Sequence, residues 1–488
     1  MKFLRPVLVA WLAMLLLLLT GCEVGPKYIK ANTPTTSAYK EAPPESFKEA
    51  DHQWKPAQPG DQTLKGNWWE VFGDPQLNSL EEQLTISNQD LKVAEARLRE
   101  ARAVVKYNRA AQFPTISVGP SISGLRESAN TPYLPATNNS GDFILPFDLS
   151  YEVDLWGRVR RTVAASREEA QATSADYATA SLSLHAELAI DYFELRSADA
   201  QKRLLDDTVK AYKDALQLTQ NRFHGGVAPR SDVAQAKTQL DTTRVQDTDV
   251  TVARAQYEHA IGILIGKPPA ELTLPPAPLD LQPPAIPVGV PSELLERRPD
   301  IAAGERRMAE ANQQIGIARA AYYPTVTLDA SAGFQGTSIL NWFTWPSRFW
   351  AVGPQAVETL FDGGRRRAAS EGALANYDGT VATYRQTTLT AFQQVEDNLA
   401  ALRILDGEAQ QQQEAVSSSE DSLQLFTNRY KGGVDTYLQV INAQTVALMN
   451  ERNNVDILRR RMDASVLLIK ALGGGWTTSE LAKEATLR

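Results

Sequence analysis

The chain has 488 residues, 43% of them hydrophobic and 22% charged, which is enough apolar material for a large buried core. A formal net charge of −8 excludes nucleic acid as a partner, because phosphate binding needs a basic stripe that is missing here. One cysteine rules out an internal disulfide, and four scattered histidines without HExxH spacing give no metal-ligand cluster and no cofactor site.

Lys2 and Arg5 precede an apolar run from Val7 to Leu19, followed by small residues, which reads as a secretory signal over residues 1–21 rather than a transmembrane helix. The cysteine directly follows Leu19-Thr20-Gly21, which resembles the bacterial lipobox, so Cys22 is expected to become the lipidated first residue of the mature chain. Loss of Lys2 and Arg5 leaves 48 basic against 58 acidic residues, a net charge of −10. From Glu23 to Asp74, Pro34, Pro43, Pro44, Pro56 and Pro59 deny the chain a regular element. This predicts an extended lipidated arm over 22–74, pinned by Trp54, Trp68, Trp69 and Phe72. Asp74-Pro75 is a helix start, and Leu77, Leu80, Leu84, Leu91 and Leu98 at helical spacing predict one helix to about Gln112, stopped by Phe113-Pro114.

The period then changes to two. Apolar and small polar residues alternate from Thr115 to Ser123, and again from Phe143 to Leu155, where Asp148, Ser150, Glu152 and Asp154 occupy the polar face. The Asn, Thr, Ser and Pro cluster from Ser128 to Gly141 is the loop between them. Such runs suit either a small soluble sheet packed on a helix or a membrane hairpin, which needs about nine to eleven tilted residues. The export signal favours the membrane, and so does a second copy. Pro324 follows Pro114 by 210 residues, Thr325 to Ala332 alternates with Asp329 on the polar face, and a return strand is expected from Phe349 to Phe361. Trp342, Phe343, Trp345, Phe349 and Trp350 between them suit a membrane interface. Asp148, Glu152, Asp154 and Asp329 would then line an acidic lumen. Four strands cannot close a barrel, and open edges in lipid leave costly unpaired N–H and C=O groups, so copies of the chain must share one. The count allows eight strands from two chains or twelve from three.

Arg158 to Phe223 contains neither Pro nor Gly, about 66 residues and on the order of 100 Å as a helix. Gly225-Gly226-Val227 ends it, and a return helix runs from Pro229 to about Ile265. Asn428-Arg429-Tyr430-Lys431-Gly432-Gly433-Val434 repeats Asn221 to Val227 at an offset of 207 residues, with Arg365 to Tyr430 before it and a return helix to Leu472 after it. Gly372, Gly379 and Gly407 inside the second long run predict a looser or bent helix. The boundaries that follow are 75–270 for the first repeat, 271–290 for a Pro-rich linker, 291–475 for the second repeat, whose first helix runs from Ser292 to Tyr323, and 476–488 for a tail.

Val24-Gly25-Pro26-Lys27-Tyr28, Pro291-Ser292-Glu293-Leu294-Leu295-Glu296-Arg297-Arg298-Pro299-Asp300-Ile301, Ala320-Ala321-Tyr322-Tyr323-Pro324-Thr325 and Leu360-Phe361-Asp362-Gly363-Gly364-Arg365 resemble the TolC and OprM type of outer membrane efflux proteins, in the lipoprotein branch called NodT. The resemblance covers nearly the whole mature chain. It implies an α+β membrane protein, an internally duplicated long-helix α-barrel continuous with a transmembrane β-barrel of four strands per chain and twelve in a homotrimer. It also implies passive conduction, a periplasmic adaptor docked on the helix tips at Gly225, Gly226, Val227, Gly432, Gly433 and Val434, an inner membrane RND-type pump as energy source, and outer membrane lipid held through Cys22. Leu438 matches the leucine of the family's periplasmic gate, but Asn442 stands where an acidic residue is expected and Thr445 where an arginine often stands, which favours Leu438 as a steric plug over a charge-based gate. Type I secretion or metal efflux is the neighbouring alternative, and a structural periplasmic coiled-coil lipoprotein is the alternative of another class. No GxSxG and no paired His and Cys point to an enzyme.

Overall fold

The computed structural model describes residues 23–33, 36–41, 66–126, 140–286, 291 and 294–478. The signal segment, Cys22, Trp54, the 128–139 part of the strand loop and the end of the tail lie outside the described residues. The elements are α1 (Pro75–Ser87), α2 (Gln89–Ala110), β1 (Thr115–Val118), β2 (Ser121–Leu125), β3 (Ser140–Glu152), α3 (Arg158–His224), α4 (Arg230–Leu264), α5 (Leu294–Arg297), α6 (Pro299–Ala320), β4 (Thr325–Gly336), β5 (Arg348–Val357), α7 (Arg365–Lys431) and α8 (Tyr437–Ala471). They divide into two compact units: Arg97–Thr173 and Ala303–Tyr384 with the chain up to Asn32, and Thr33–Ala96, Ser174–Ala302 and Arg385 onward.

The first unit holds one antiparallel sheet in the order β1-β3-β4-β5, with β2 also on β3. The two alternating hairpins are thus joined side by side through β3 and β4, although some 170 residues separate them in the chain. Where one strand was expected from Thr115 to Ser123 there are two, because the ladder lapses at Gly119-Pro120. The register is the same on both sides of the lapse, Val118 opposite Phe147 and Ser121 opposite Ile144, which sets Gly119 against Pro146 and Pro120 against Leu145. Proline has no N–H to give the ladder; Val153 N donates toward β4, so by the alternation along β3 it is Pro146 whose missing N–H falls opposite Gly119, and it interrupts the ladder without shifting it. The return strand is Arg348–Val357, shorter at its end than the expected Phe361. Asp362 instead turns the chain into α7, accepting from Gly364 N (3.0 Å) and Arg366 N (3.1 Å). Among the described residues β1, β2 and β5 have no strand partner on their outer edges.

In the second unit Trp68, Trp69 and Phe72 are buried, as the anchor reading expects, and Asp74 caps α1 by accepting from Gln76 N at 2.8 Å and Leu77 N at 3.2 Å. Trp69 stacks on His185 at 4.3 Å, whose ring is 2.6 Å from the buried Glu81 carboxyl. Burial pushes Glu81 up and holds His185 down at about 4, disfavouring the charged form of each. Within the Pro-rich stretch Leu274, Leu279 and Ile286 are buried, and the Pro275 carbonyl accepts from Arg196 at 2.8 Å.

Two expected helices are each divided. The Asn88 side chain caps α2 by accepting from Leu91 N at 2.8 Å, ending α1 at Ser87, and Pro299, unable to donate, separates α5 from α6. The divisions are 210 residues apart and equivalent. Asn88 Nδ2 donates to the Leu264 carbonyl at the end of α4 (2.7 Å), and Arg298 Nη1 donates to the Ala471 carbonyl at the end of α8 (2.9 Å). A Cβ on Gly266 would stand 2.5 Å from the Ser87 oxygen, and one on Gly473 would stand 2.1 Å from the Arg297 oxygen. Each return helix therefore ends on a glycine pressed against the joint of its own repeat. The expected bend in the second long helix is absent: α7 runs unbroken through Gly372, Gly379 and Gly407 and, like α3, has 67 residues.

Candidate functional site

The helix tips are built by one hydrogen-bond pattern used twice. Gly226 N donates to Phe223 O (2.9 Å) and Val227 N to Arg222 O (2.8 Å); Gly433 N donates to Tyr430 O and Val434 N to Arg429 O, both at 3.0 Å. These are Schellman caps, and their left-handed residues are Gly226 (φ 73) and Gly433 (φ 77). Gly225 and Gly432 are different. They lie outside the left-handed region, and a Cβ there would meet its nearest atom at ordinary contact distances of 3.4 and 3.5 Å. Only the second glycine of each pair is demanded by the turn. The valines that follow, Val227 and Val434, are exposed by 67% and 68%.

The tips are not equivalent in what surrounds them. Arg429 pairs with Asp435 across its own turn, and that hydrogen bond holds the partly exposed carboxyl below its usual range. At the offset of 207, Ala228 stands where Asp435 would be. Arg222, the counterpart of Arg429, turns to the other hairpin: its Nη1 donates to the Lys431 carbonyl at 3.0 Å and its guanidinium lies 4.8 Å from the centre of the Tyr430 ring. Tyr430 packs on Tyr437 at 5.1 Å, in a cluster with Ala236 and Val440. Burial, with Tyr430 and Tyr212 nearby, pushes Tyr437 up to about 12, so it stays neutral. Sequence reading missed Arg222, Tyr430, Tyr437 and Asp435. Comparing the copies residue by residue at the offset would have flagged Ala228 against Asp435.

Leu438 and Asn442 lie one turn apart on α8 and both are exposed, as is Thr445, which accepts from Gln239 Nε2 at 3.3 Å. The opposite side of this helix, Tyr437, Val440, Ala443 and Ala447, is buried. The two gate candidates thus share an open face.

In the sheet, the register sets Asp148 opposite Ser331, Ser150 opposite Asp329 and Glu152 opposite Thr327, so the polar residues gather on one face. Asp329 accepts from Ser150 (2.7 Å) and Thr327 (2.8 Å). Glu152 accepts from Nε and Nη2 of Arg158 (2.8 and 2.5 Å), and Asp154 caps α3 by accepting from Val159 N (3.1 Å) and Arg160 N (2.9 Å). Of the four lumen candidates, Glu152 and Asp154 are committed to arginines at the strand-to-helix junction, and Asp148 and Asp329 carry the acidic character of the face.

A family model described as outer membrane efflux protein matches residues 80–267 and again residues 290–474. The chain belongs to the outer membrane efflux protein family. This efflux protein is 32% identical over 465 residues to the toluene efflux pump outer membrane protein TtgF of Pseudomonas putida, across 94% of this chain and 95% of the relative. It is 31% identical over 443 residues to the pyoverdine export outer membrane protein OpmQ of Pseudomonas aeruginosa, across 89% and 93%. Among solved structures it is similar to the outer-membrane channel OprN, with a TM-score of 0.84 and 31% identity over 93% of this chain and 100% of that one. Among the described residues no helix is long and apolar enough to cross a membrane.

Proposed function

We infer that this protein is the outer membrane channel of a tripartite efflux pump and conducts small molecules passively to the outside. The observation that carries the inference is the sheet with one apolar and one polar face and two edges that find no strand partner among the described residues. In lipid each unpaired backbone group costs several kcal/mol, so the edges close only against copies of the chain. Membership of the family supports three copies and twelve strands. The two capped helix tips, with Val227 and Val434 exposed beside Gly225, Gly226, Gly432 and Gly433, are the adaptor-docking surface in this reading, and an RND-type pump supplies the energy. Leu438 is the steric gate and Asn442 narrows the same ring without charge. Cys22 carries the lipid anchor, and each family-matched segment is one repeat of the duplicated body. The role is conduction, with no catalytic centre.

Two relatives of nearly equal identity are named for different cargoes, toluene in one and pyoverdine in the other. Cargo choice therefore belongs to the pump and adaptor in this account, and the channel is permissive. Leu438→Ala tests the gate: single-channel conductance of the resting channel in planar bilayers is expected to rise several-fold, with the wild-type yield of trimer. Unchanged conductance would remove Leu438 from the gate.

A further inference from the structure

The apolar face of the sheet carries a groove. Ala330 and Ala332 of β4 stand between Leu149 and Phe147 of β3 on one side and Val352 and Trp350 of β5 on the other, row by row. Methyl side chains between two walls of large ones leave an open trough of about 370 Å³. Its walls face outward: Phe147 is 51%, Val352 63% and Trp350 78% exposed.

The described chain begins against the end of the same strand. Val24 N donates to the Trp156 carbonyl at 3.2 Å. A Cβ on Gly157 would stand 3.0 Å from Glu23 Cγ and 3.5 Å from its Cα, and the Glu23 carboxylate lies 3.4 Å from Nε of the buried Arg161. Gly25, at φ 121, approaches Gly316 so closely that a Cβ would be 2.7 Å from its Cα. These contacts fix Glu23, the first described residue, beside the junction of β3 and α3. The ladder runs on to Val153, whose N–H donates to the Val326 carbonyl at 2.8 Å. Leu149 and Phe147 lie four and six residues up the strand from there, about 13 and 20 Å. One leaflet is half of a hydrocarbon core of about 30 Å, so a chain that crosses its leaflet reaches the first row of the groove and extends toward the second.

We propose that the groove over Ala330 and Ala332 is an acyl-chain site and that its occupant is a chain carried by Cys22. The proposal rests on the lipidation of Cys22 inferred above. Within a bilayer, surrounding lipid tails compete on equal chemical terms, because moving a tail from lipid to an apolar groove brings no hydrophobic gain. The tethered chain is favoured because its head is already fixed by the covalent bond and the contacts of Glu23, Val24 and Gly25, so it loses less freedom on ordering than a free lipid does. The groove would hold the anchor against its own sheet.

The test feeds cells a palmitate analogue with a diazirine near the end of the chain, irradiates isolated outer membranes and maps cross-links from Cys22 by mass spectrometry. Cross-links are expected to concentrate on peptides containing Phe147–Leu149, Ala330–Ala332 and Trp350–Val352, and to fall at least five-fold there in an Ala330→Leu, Ala332→Leu variant that still takes up the label. Labelled Cys22 with cross-links scattered over the protein and bulk lipid, equally in both proteins, would overturn the groove while leaving lipidation standing. Absence of label on Cys22 would overturn both. In a separate arm, a photoreactive phospholipid added to wild-type outer membranes should label the groove peptides less than other lipid-facing peptides; preferential labelling there would assign the groove to free lipid and overturn the tethered occupant.

Discussion

Arg222 and Arg429 occupy one position in two copies of a turn, and a single neighbour decides what each does. Asp435 keeps Arg429 within its own turn, whereas Ala228 leaves Arg222 to tie the first hairpin to Lys431 and Tyr430 of the second. Arg222→Ala is expected to loosen the pair of hairpins and raise resting conductance. Ala228→Asp should do the same by recapturing Arg222, and an unchanged conductance in both variants would deny the tie any part in closure. The glycine pairs were legible as helix breaks, but not which glycine matters. Gly226→Ala and Gly433→Ala force an L side chain into the left-handed region and should each cost about 1 kcal/mol. Gly225→Ala and Gly432→Ala should be neutral or slightly stabilising. Thermal melting of the four single variants checks this, and equal losses at both positions of a pair would contradict it. Asn88 and Arg298 were invisible as joints because their partners, the carbonyls of Leu264 and Ala471, lie far along the chain and nothing local announces them.

At the scale of elements, helix and strand periods were legible and their interruptions were less so. The ladder lapse at Gly119-Pro120 depends on Pro146 from another strand, which no window of local sequence contains. The bend expected of α7 is absent because a glycine only lowers helix propensity, by about 1 kcal/mol, and three such losses are spread over 67 residues whose burial begins at Tyr384 and continues through Thr388, Ala391, Val395 and Leu399. A Cβ at Gly372, Gly379 or Gly407 would meet nothing within 4 Å. Replacing all three by Ala should therefore stabilise the protein by about 1–3 kcal/mol, read as a rise in melting temperature, and a fall would show that the glycines permit a needed deformation. On α8, Asp463 faces Arg459, Glu194 and Asp456, and burial followed by the Glu194 charge pushes it up to about 7. Its folded value exceeds the unfolded 3.8, so its contribution to stability is full below about pH 4 and is lost as pH rises through about 7. Asp463→Asn should accordingly raise the melting temperature more at pH 8 than at pH 4. A gain independent of pH would refute the assignment.

For the molecule as a whole, the duplication, the sheet and the long helices could all be read from spacing and period, whereas the joining of the two hairpins through β3 and β4 could not. Pairing between strands some 170 residues apart leaves no trace in either alternation pattern. That joining decides the assembly problem, because it turns two hairpins with four edges into one sheet with two. One chain then supplies one arc of a barrel, and closure falls to its copies. The most direct measurement reconstitutes the purified, detergent-solubilised protein into planar lipid bilayers after fixing its mass in the detergent complex. The account predicts a trimer that inserts and conducts ions at low resting conductance, raised by Leu438→Ala and by Arg222→Ala. A water-soluble monomer that neither inserts nor conducts would contradict it.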